Sequence, residues 1–422
     1  MSVYERAILS NGIRVVTAPM PHAHSVTCVV MIGAGSRYET AETRGIAHFA
    51  EHMFFKGTEK RPSPREISRV IDSIGGAQNA ATNKEYTLYY VRCGAEQRDV
   101  ALEWLVDILR NSKFDAGDIE REKGVVVEEL NMYADTPRDI IDSIYEEHLY
   151  GENPLGWEIL GTEETVRSAD RERFLDYLGR WYTPDRIVVG VAGDVGEGLV
   201  ETLEELLGDM HGEAAGAPAP ATAAPSERPR VRVQHKASEQ AHLCLGVLSK
   251  PIDHPDRYTL HLLATILGGG SSSRLFTEVR EERGLAYYVN AYADSYTDTG
   301  TLYAQAGVDL ARVDDAVETI ARELKRIVED PVADDELELG RNFAKGRFVL
   351  QTETPQGLIM FGLRREVLEG EAVDPEVLLA GLDAVTAEDL QRVAQETLGA
   401  QGLNLALIGP FEDPARFEAL LS

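Results

Sequence analysis

Cysteine is scarce in this chain: Cys28, Cys93 and Cys244 are an odd set, far apart and without paired spacing. That excludes a disulfide framework and a cysteine-built zinc site, and it fits a reducing compartment. Basic residues are also few, 42 Lys and Arg against 71 Asp and Glu, for a net charge of −29. Phosphate neutralisation needs clustered cations, so nucleic acid is excluded as the main partner and an anionic membrane surface is disfavoured. No run of about 18 uninterrupted apolar residues occurs, and the opening MSVYERAILSNGIRVV has no basic stretch leading into an apolar one. These absences predict a soluble cytoplasmic protein. Aromatics make up only 7% of the chain, yet 43% of it is hydrophobic, enough to bury real cores and to exclude a disordered or fibrous chain. A single core stops growing at roughly 250–300 residues, so 422 residues require at least two domains.

Residues 212–229, GEAAGAPAPATAAPSERP, are dominated by Ala and Pro and hold no apolar residue larger than Ala. Such a stretch predicts an extended, semi-rigid linker that does not pack. It divides the chain into 1–211 and 230–422, and the features of the two parts match in order. HFAEHMFFKG at 48–57 lies over HLLATILGGG at 261–270, Thr136–Pro137 recurs as Thr354–Pro355, and RIVVGVAGD at 186–194 recurs as GLNLALIGP at 402–410. The offset drifts as small loop insertions would make it, which points to a duplicated α+β unit.

Within the first half, LSNGIRVV predicts a hairpin with a type I′ turn at Asn11–Gly12, and Val26 to Ile32 reads as an apolar strand. A helix is expected from about Glu42 to Lys56. Ser63, Pro64 and Glu66 form a strong helix start, and EISRVIDSI stops at Gly75–Gly76. Tyr86–Cys93 reads as a strand, with helices expected over Gln97–Asn111 and Asp118–Tyr133. Strands and helices come in runs, favouring helices on one face of a largely antiparallel sheet.

His48-Phe-Ala-Glu51-His52 carries the chemistry. Residues four apart on a helix are neighbours, so the two imidazoles can meet one ion, with Glu51 on the same edge. Zinc accepts His nitrogen and carboxylate oxygen, and a catalytic site keeps its fourth position for water. Bound zinc lowers the pKa of that water toward about 7, and a neighbouring carboxylate can take the proton during attack on a peptide carbonyl. The plain alternative is two surface histidines on an acidic helix, but Glu between them completes the H-x-x-E-H inverzincin signature. A third ligand is needed, and EREKGVVVEELNMY (120–133) offers candidates. Glu122 and Glu129 stand two helical turns apart on one face. By itself that segment reads equally as a solvated acidic face, and Val125–Val127 even allows a strand.

H-x-x-E-H with Glu129 in this context resembles the pitrilysin or insulinase family of zinc peptidases, peptidase family M16. The size is that of its two-domain M16B branch, which includes mitochondrial processing peptidase and bacterial relatives. GIAHFAEHMFFKGT, EISRVIDSIGGAQNAATNKEYTLYY, the Glu-rich helix and TPDRIVVGVAGDV carry the similarity over nearly the whole chain. The resemblance implies two homologous α+β domains, each a mostly antiparallel sheet covered by helices, the LuxS/MPP-like metallohydrolase fold. It makes His48, His52 and Glu129 the ligands of one Zn²⁺ per chain, Glu51 the general base, and Glu122 the carboxylate that orients a ligand histidine. It also places Asn79 and Ala80 on an edge strand that pairs with extended substrate; alone, GGAQNAAT reads as an ordinary turn into a strand.

In the second half, GGGSSSRLFTEVREERGLAYYV (268–289) resembles the family's other signature, with Arg280 and Tyr287 as donors to substrate and to the oxyanion. A surface salt bridge or a phosphate-cradling loop is the plainer alternative, and the latter lacks the GxxxxGK[ST] pattern. Ala264 and Thr265 stand where Glu51 and His52 stand in the first half, so no zinc is expected there. The resemblance further implies peptide substrates and a dimeric chamber. With both signatures in one chain, a homodimer is expected, a heterodimer with a paralogue being the alternative. Excess acid lining such a chamber would favour basic peptides. The rival from another class is a non-catalytic peptide-binding or scaffold subunit, and such relatives lose motif residues that are all present here. A structural zinc protein fits less well, because three ligands beside a free carboxylate describe an open site.

Overall fold

The computed structural model describes residues 2–222 and 230–421, so the 223–229 part of the expected linker lies outside the described residues. The chain forms two compact units whose make-up departs from a single cut at that linker. The first comprises Met1–Met132, Trp157–Ala219 and Leu350–Pro375; the second comprises Tyr133–Gly156, Pro220–Val349 and Glu376–Ser422.

In the first unit β1 (Glu5–Ile8), β2 (Arg14–Pro19), β3 (Ser25–Ile32), β4 (Ala77–Thr82), β5 (Thr87–Gly94) and β6 (Ile187–Gly193) form one sheet. Its order is β1-β2-β6-β3-β5-β4, and only the β2–β6 pair is parallel. The central strands SVTCVVMI and IVVGVAG are apolar along nearly their whole length because both of their faces are covered. Side chains alternate across a strand. Val26, Cys28, Val30 and Ile32 of β3 therefore join the core with α1 (Ile46–Met53), α2 (Pro64–Ser73), α3 (Arg98–Asn111) and α4 (Ala116–Asp135). Val29 and Met31 point to the other face, where Leu358, Ile359 and Leu363 of the helix Pro355–Glu369 cover them.

In the second unit α5 (Pro137–Tyr150) belongs with β7 (Val231–His235), β8 (Gln240–Ser249), β9 (Ala286–Ser295), β10 (Gly300–Asp309) and β11 (Asn404–Gly409). The order β7-β11-β8-β10-β9, with β7 and β11 parallel, repeats the first sheet without β1. Ile141, Ile144, Tyr145 and Leu149 of α5 pack on Cys244, Tyr303, Ala406 and Ile408. The equivalent helices opening at Thr136–Pro137 and Thr354–Pro355 thus each belong to the unit built mainly from the other half of the chain. That exchange supplies the second covering layer, so helices lie on both faces of each sheet where element order alone suggested one.

Three local expectations are corrected. The hairpin forms, but its turn spans Leu9–Ile13, closed by Leu9 N–H to Ile13 O at 2.9 Å, with Gly12 at φ +95°. Asn11 is instead drawn to a helix end, its amide donating to Leu207 O at 2.8 Å and Met210 O at 3.2 Å. The helix expected from Glu42 to Lys56 is only Ile46–Met53, because Gly45 takes φ +85° and a Cβ there would lie 2.4 Å from Leu160 O. The described part of the Ala/Pro segment is held by its backbone: Ala215 N–H donates to Arg180 O at 3.2 Å, and Ala219 O accepts from Arg37 at 3.0 Å. The helix start at Ser63 is as expected, its hydroxyl accepting from Glu66 N–H. Among the described residues, no helix is long and apolar enough to cross a membrane.

Candidate metal centre

α1 sorts its side chains by the helical period. Ile46, Phe49, Ala50 and Met53 face the core, and Phe49 meets Phe174 edge-on at 5.0 Å. Burying a ring of that size stabilises by about 1.5–3 kcal/mol, which fixes the rotation of the helix. The remaining stripe holds His48, Glu51 and His52. The start of α1 is anchored by Glu39, which accepts from Gly45 N–H and Ala47 N–H, both at 2.8 Å. α4 is helical throughout, its valines included, because Ile119, Val126 and Val127 are buried in the same core. Glu122 and Glu129 are thereby held on one face, toward α1.

The imidazoles of His48 and His52 stand 4.8 Å apart at a 62° angle. Glu129 Oε2 lies 3.8 Å from His48 Nε2 and 3.4 Å from His52 Nε2. One donor atom from each of the three residues falls within 4.8 Å of the others, a spacing that can hold a metal ion. The donor set, two imidazoles and one carboxylate, is the set a catalytic zinc accepts. Burial, and then the neighbouring His52, pushes His48 down to about 3, so its ring is neutral and keeps a lone pair for an ion. Its Nδ1 is buried without a hydrogen-bond partner among the described residues.

His52 is oriented differently. Its Nδ1 is 3.0 Å from Glu122 Oε1, and the other oxygen of Glu122 is 2.7 Å from Lys56 Nζ. Burial alone would raise the Glu122 carboxyl, but hydrogen bonds from His52 and Lys56 hold it below the ordinary glutamate range. As a carboxylate it can only accept, so His52 donates from Nδ1 and leaves Nε2 free. Glu51 is absent from the ligand group. Its Oε2 accepts from Thr82 Oγ1 at 2.6 Å, and burial raises its carboxyl above the ordinary value, opposed by the Thr82 bond and by His52.

Thr82 ends β4, the edge strand of the sheet, which pairs with β5 through Asn79–Tyr90 and Ala80–Tyr89. Its other edge has no partner strand among the described residues. Ala80 N–H is taken up locally by Asn79 Oδ1 at 2.9 Å. In the second unit, Arg280 lies in the turn Phe276–Glu282 and Tyr287 in β9, with the guanidinium 4.9 Å from the Phe276 ring and 5.6 Å from the Tyr287 ring. Tyr287 is 71% exposed. Thr82 and Lys56 were missed in the sequence, though signals existed: Lys56 is one turn beyond His52, and Thr82 shares a strand face with Ala80.

Such a sheet-and-helix unit, built twice, with two histidines and a glutamate converging in one copy, is the architecture of a two-domain metallopeptidase. The profile described as Insulinase (Peptidase family M16) matches residues 14–163, and that described as Peptidase M16 inactive domain matches residues 168–343. An uncharacterized zinc protease of Bacillus subtilis, YmxG, is 39% identical over 96% of this chain and 98% of its own. An uncharacterized zinc protease of Streptomyces coelicolor is 35% identical over 97% and 90%. Among solved structures, a protease from Helicobacter pylori superposes with a TM-score of 0.90 at 21% identity, covering 97% of this chain and 100% of its own. The chain belongs to peptidase family M16.

Proposed function

We propose that this protein is a zinc-dependent endopeptidase that cleaves unfolded or presequence-like peptides. The observation that carries the reading is the convergence of His48, His52 and Glu129, with Glu51 beside them but outside the ligand group. These three would hold one zinc ion per chain, and zinc, when bound, supplies the Lewis acidity that makes water a nucleophile at neutral pH. Glu51 would accept the proton of the attacking water and return it to the leaving amine; its raised carboxyl suits both directions of transfer. Thr82 holds that carboxylate in place. Asn79 and Ala80 would pair with the peptide backbone along the free edge of β4, a substrate carbonyl replacing Asn79 Oδ1 on the Ala80 N–H.

Arg280 and Tyr287 would donate to the substrate and to the oxyanion, in keeping with their proximity and the exposure of Tyr287. Tyr287→Phe should lower kcat by about 10²-fold, the effect of removing one oxyanion donor; full activity would exclude the role. We further infer a homodimer in which the partner supplies this pair, a heterodimer with a paralogue being the alternative. Mixing Glu51→Gln with Tyr287→Phe protein tests both points together. Recovery of activity that neither variant has alone is expected, whereas no recovery would place the pair and the base in the same protomer.

A cytoplasmic location completes the reading, in line with three cysteines that are all free and buried. The net charge of −29 would line the chamber and draw in basic peptides. Lys-rich peptides should therefore be cleaved faster than matched Glu-rich ones at low salt, with the gap narrowing as salt is added. Equal rates at low salt would remove the electrostatic component.

A further inference from the structure

Four groups form a chain through the metal centre: Glu129, His52, Glu122 and Lys56. The last of them touches no ligand. Lys56 follows α1 by a short turn, its N–H donating to Met53 O at 3.1 Å, and that turn brings the ammonium to Glu122 Oε2 at 2.7 Å. The Glu122 side chain is only 8% exposed, so few water molecules can compete for its oxygens. A carboxylate held at one oxygen alone can swing about its terminal bond. Held at both, with Oε1 on His52 Nδ1 at 3.0 Å, it cannot.

We propose that Lys56 is a positioning residue of the metal centre: it locks Glu122 so that the His52 ring is held with Nδ1 on Glu122 and Nε2 turned toward the ion. The inference rests on the zinc reading above and deepens it. Lys56 has two possible effects on a bound divalent cation, and they differ in sign. As a nearby positive charge it would repel the ion, so removing it would tighten binding. As the clamp on Glu122 it favours the ion, because groups that orient a ligand histidine are worth 10- to 100-fold in metal affinity. With direct bonds at both oxygens of a nearly buried carboxylate, the clamp is the larger effect.

The test is zinc affinity of the full chain, measured by competition against a chromophoric chelator. Lys56→Met should weaken zinc binding by about 10- to 100-fold, and Lys56→Arg should restore most of it. Glu122→Gln should weaken it as well, and the Lys56→Met/Glu122→Gln double variant should bind no worse than Glu122→Gln alone, because Lys56 acts through Glu122. Lys56→Gln serves in the same role if the methionine variant does not fold. Unchanged or tighter binding in Lys56→Met overturns the proposal, as do additive losses in the double variant. A lower melting temperature of the metal-free protein with unchanged zinc affinity overturns it too, marking a purely structural ion pair. If the wild type itself binds no zinc, the metal reading falls together with this inference; if it binds zinc and Lys56→Met binds equally well, only this inference falls.

Discussion

Glu51→Gln is expected to keep one zinc ion per chain and to lose about 10²- to 10⁴-fold in peptide cleavage, the contribution of a positioned general base. The substitution preserves shape: the glutamine oxygen can accept the same hydroxyl from Thr82 that Glu51 Oε2 accepts at 2.6 Å. His48, His52 and Glu129 are untouched, and none of them is hydrogen-bonded to Glu51 among the described residues, so the metal group stays intact. What is lost is the ability to take a proton, since an amide oxygen is far less basic than a carboxylate whose burial has raised it. Metal analysis beside a quenched peptide assay separates the outcomes. Zinc retained with activity lost supports the assignment, near-normal activity removes Glu51 from the base role, and a wild type without zinc sinks the peptidase reading.

Glu85→Ala is expected to destabilise the first unit by about 3–5 kcal/mol, the cost of removing one member of a buried ion pair. Arg37 donates to Glu85 Oε1 at 2.7 Å, and the two side chains are 1% and 3% exposed. Removing the carboxylate takes a charged acceptor from a guanidinium that is sealed from water and also donates to Ala219 O at 3.0 Å. At about 2–4 °C per kcal/mol for a unit of this size, the thermal midpoint should fall by roughly 6–20 °C. A double variant in which methionine replaces both residues should lose much less, because no buried charge is left to be compensated. Equal losses in single and double variants would assign the effect to packing alone. The pair also matters for the site: Ser36 N–H and Arg37 N–H bond to Asn83 O and Lys84 O at 3.1 and 2.8 Å, tying the β4–β5 turn to the segment that leads into α1. Reduced cleavage should therefore accompany the lower midpoint, with zinc affinity measured at low temperature the least affected.

Much of the centre was legible from local spacing. His48 and His52 are neighbours on any helix, and the Ser63-Pro64-x-Glu66 start and the Glu122/Glu129 face follow from backbone geometry within a few residues. The choice of Glu129 over Glu128 came from the family resemblance, and the side-chain distances to both histidines agree with it. What could not be read were contacts between segments far apart in sequence. The helix start at Gly45 depends on Leu160, and the turn at Asn11 on carbonyls near Leu207. The hold of Thr82 on Glu51 and of Lys56 on Glu122 needs α1, α4 and β4 to be packed first.

The sequence alone determined the duplicated α+β plan, the asymmetry in which only the first copy carries the full H-x-x-E-H set, and the pairing of His48 with His52, because each depends on residue type and short-range period. The tertiary structure alone decided that α5 and the helix Pro355–Glu369 change places between the units, and that Glu122 stands between His52 and Lys56. Neither is encoded in any local pattern. Both follow from which apolar faces are buried together once the whole chain has folded, and burial of that kind is decided by long-range packing rather than by neighbours in sequence.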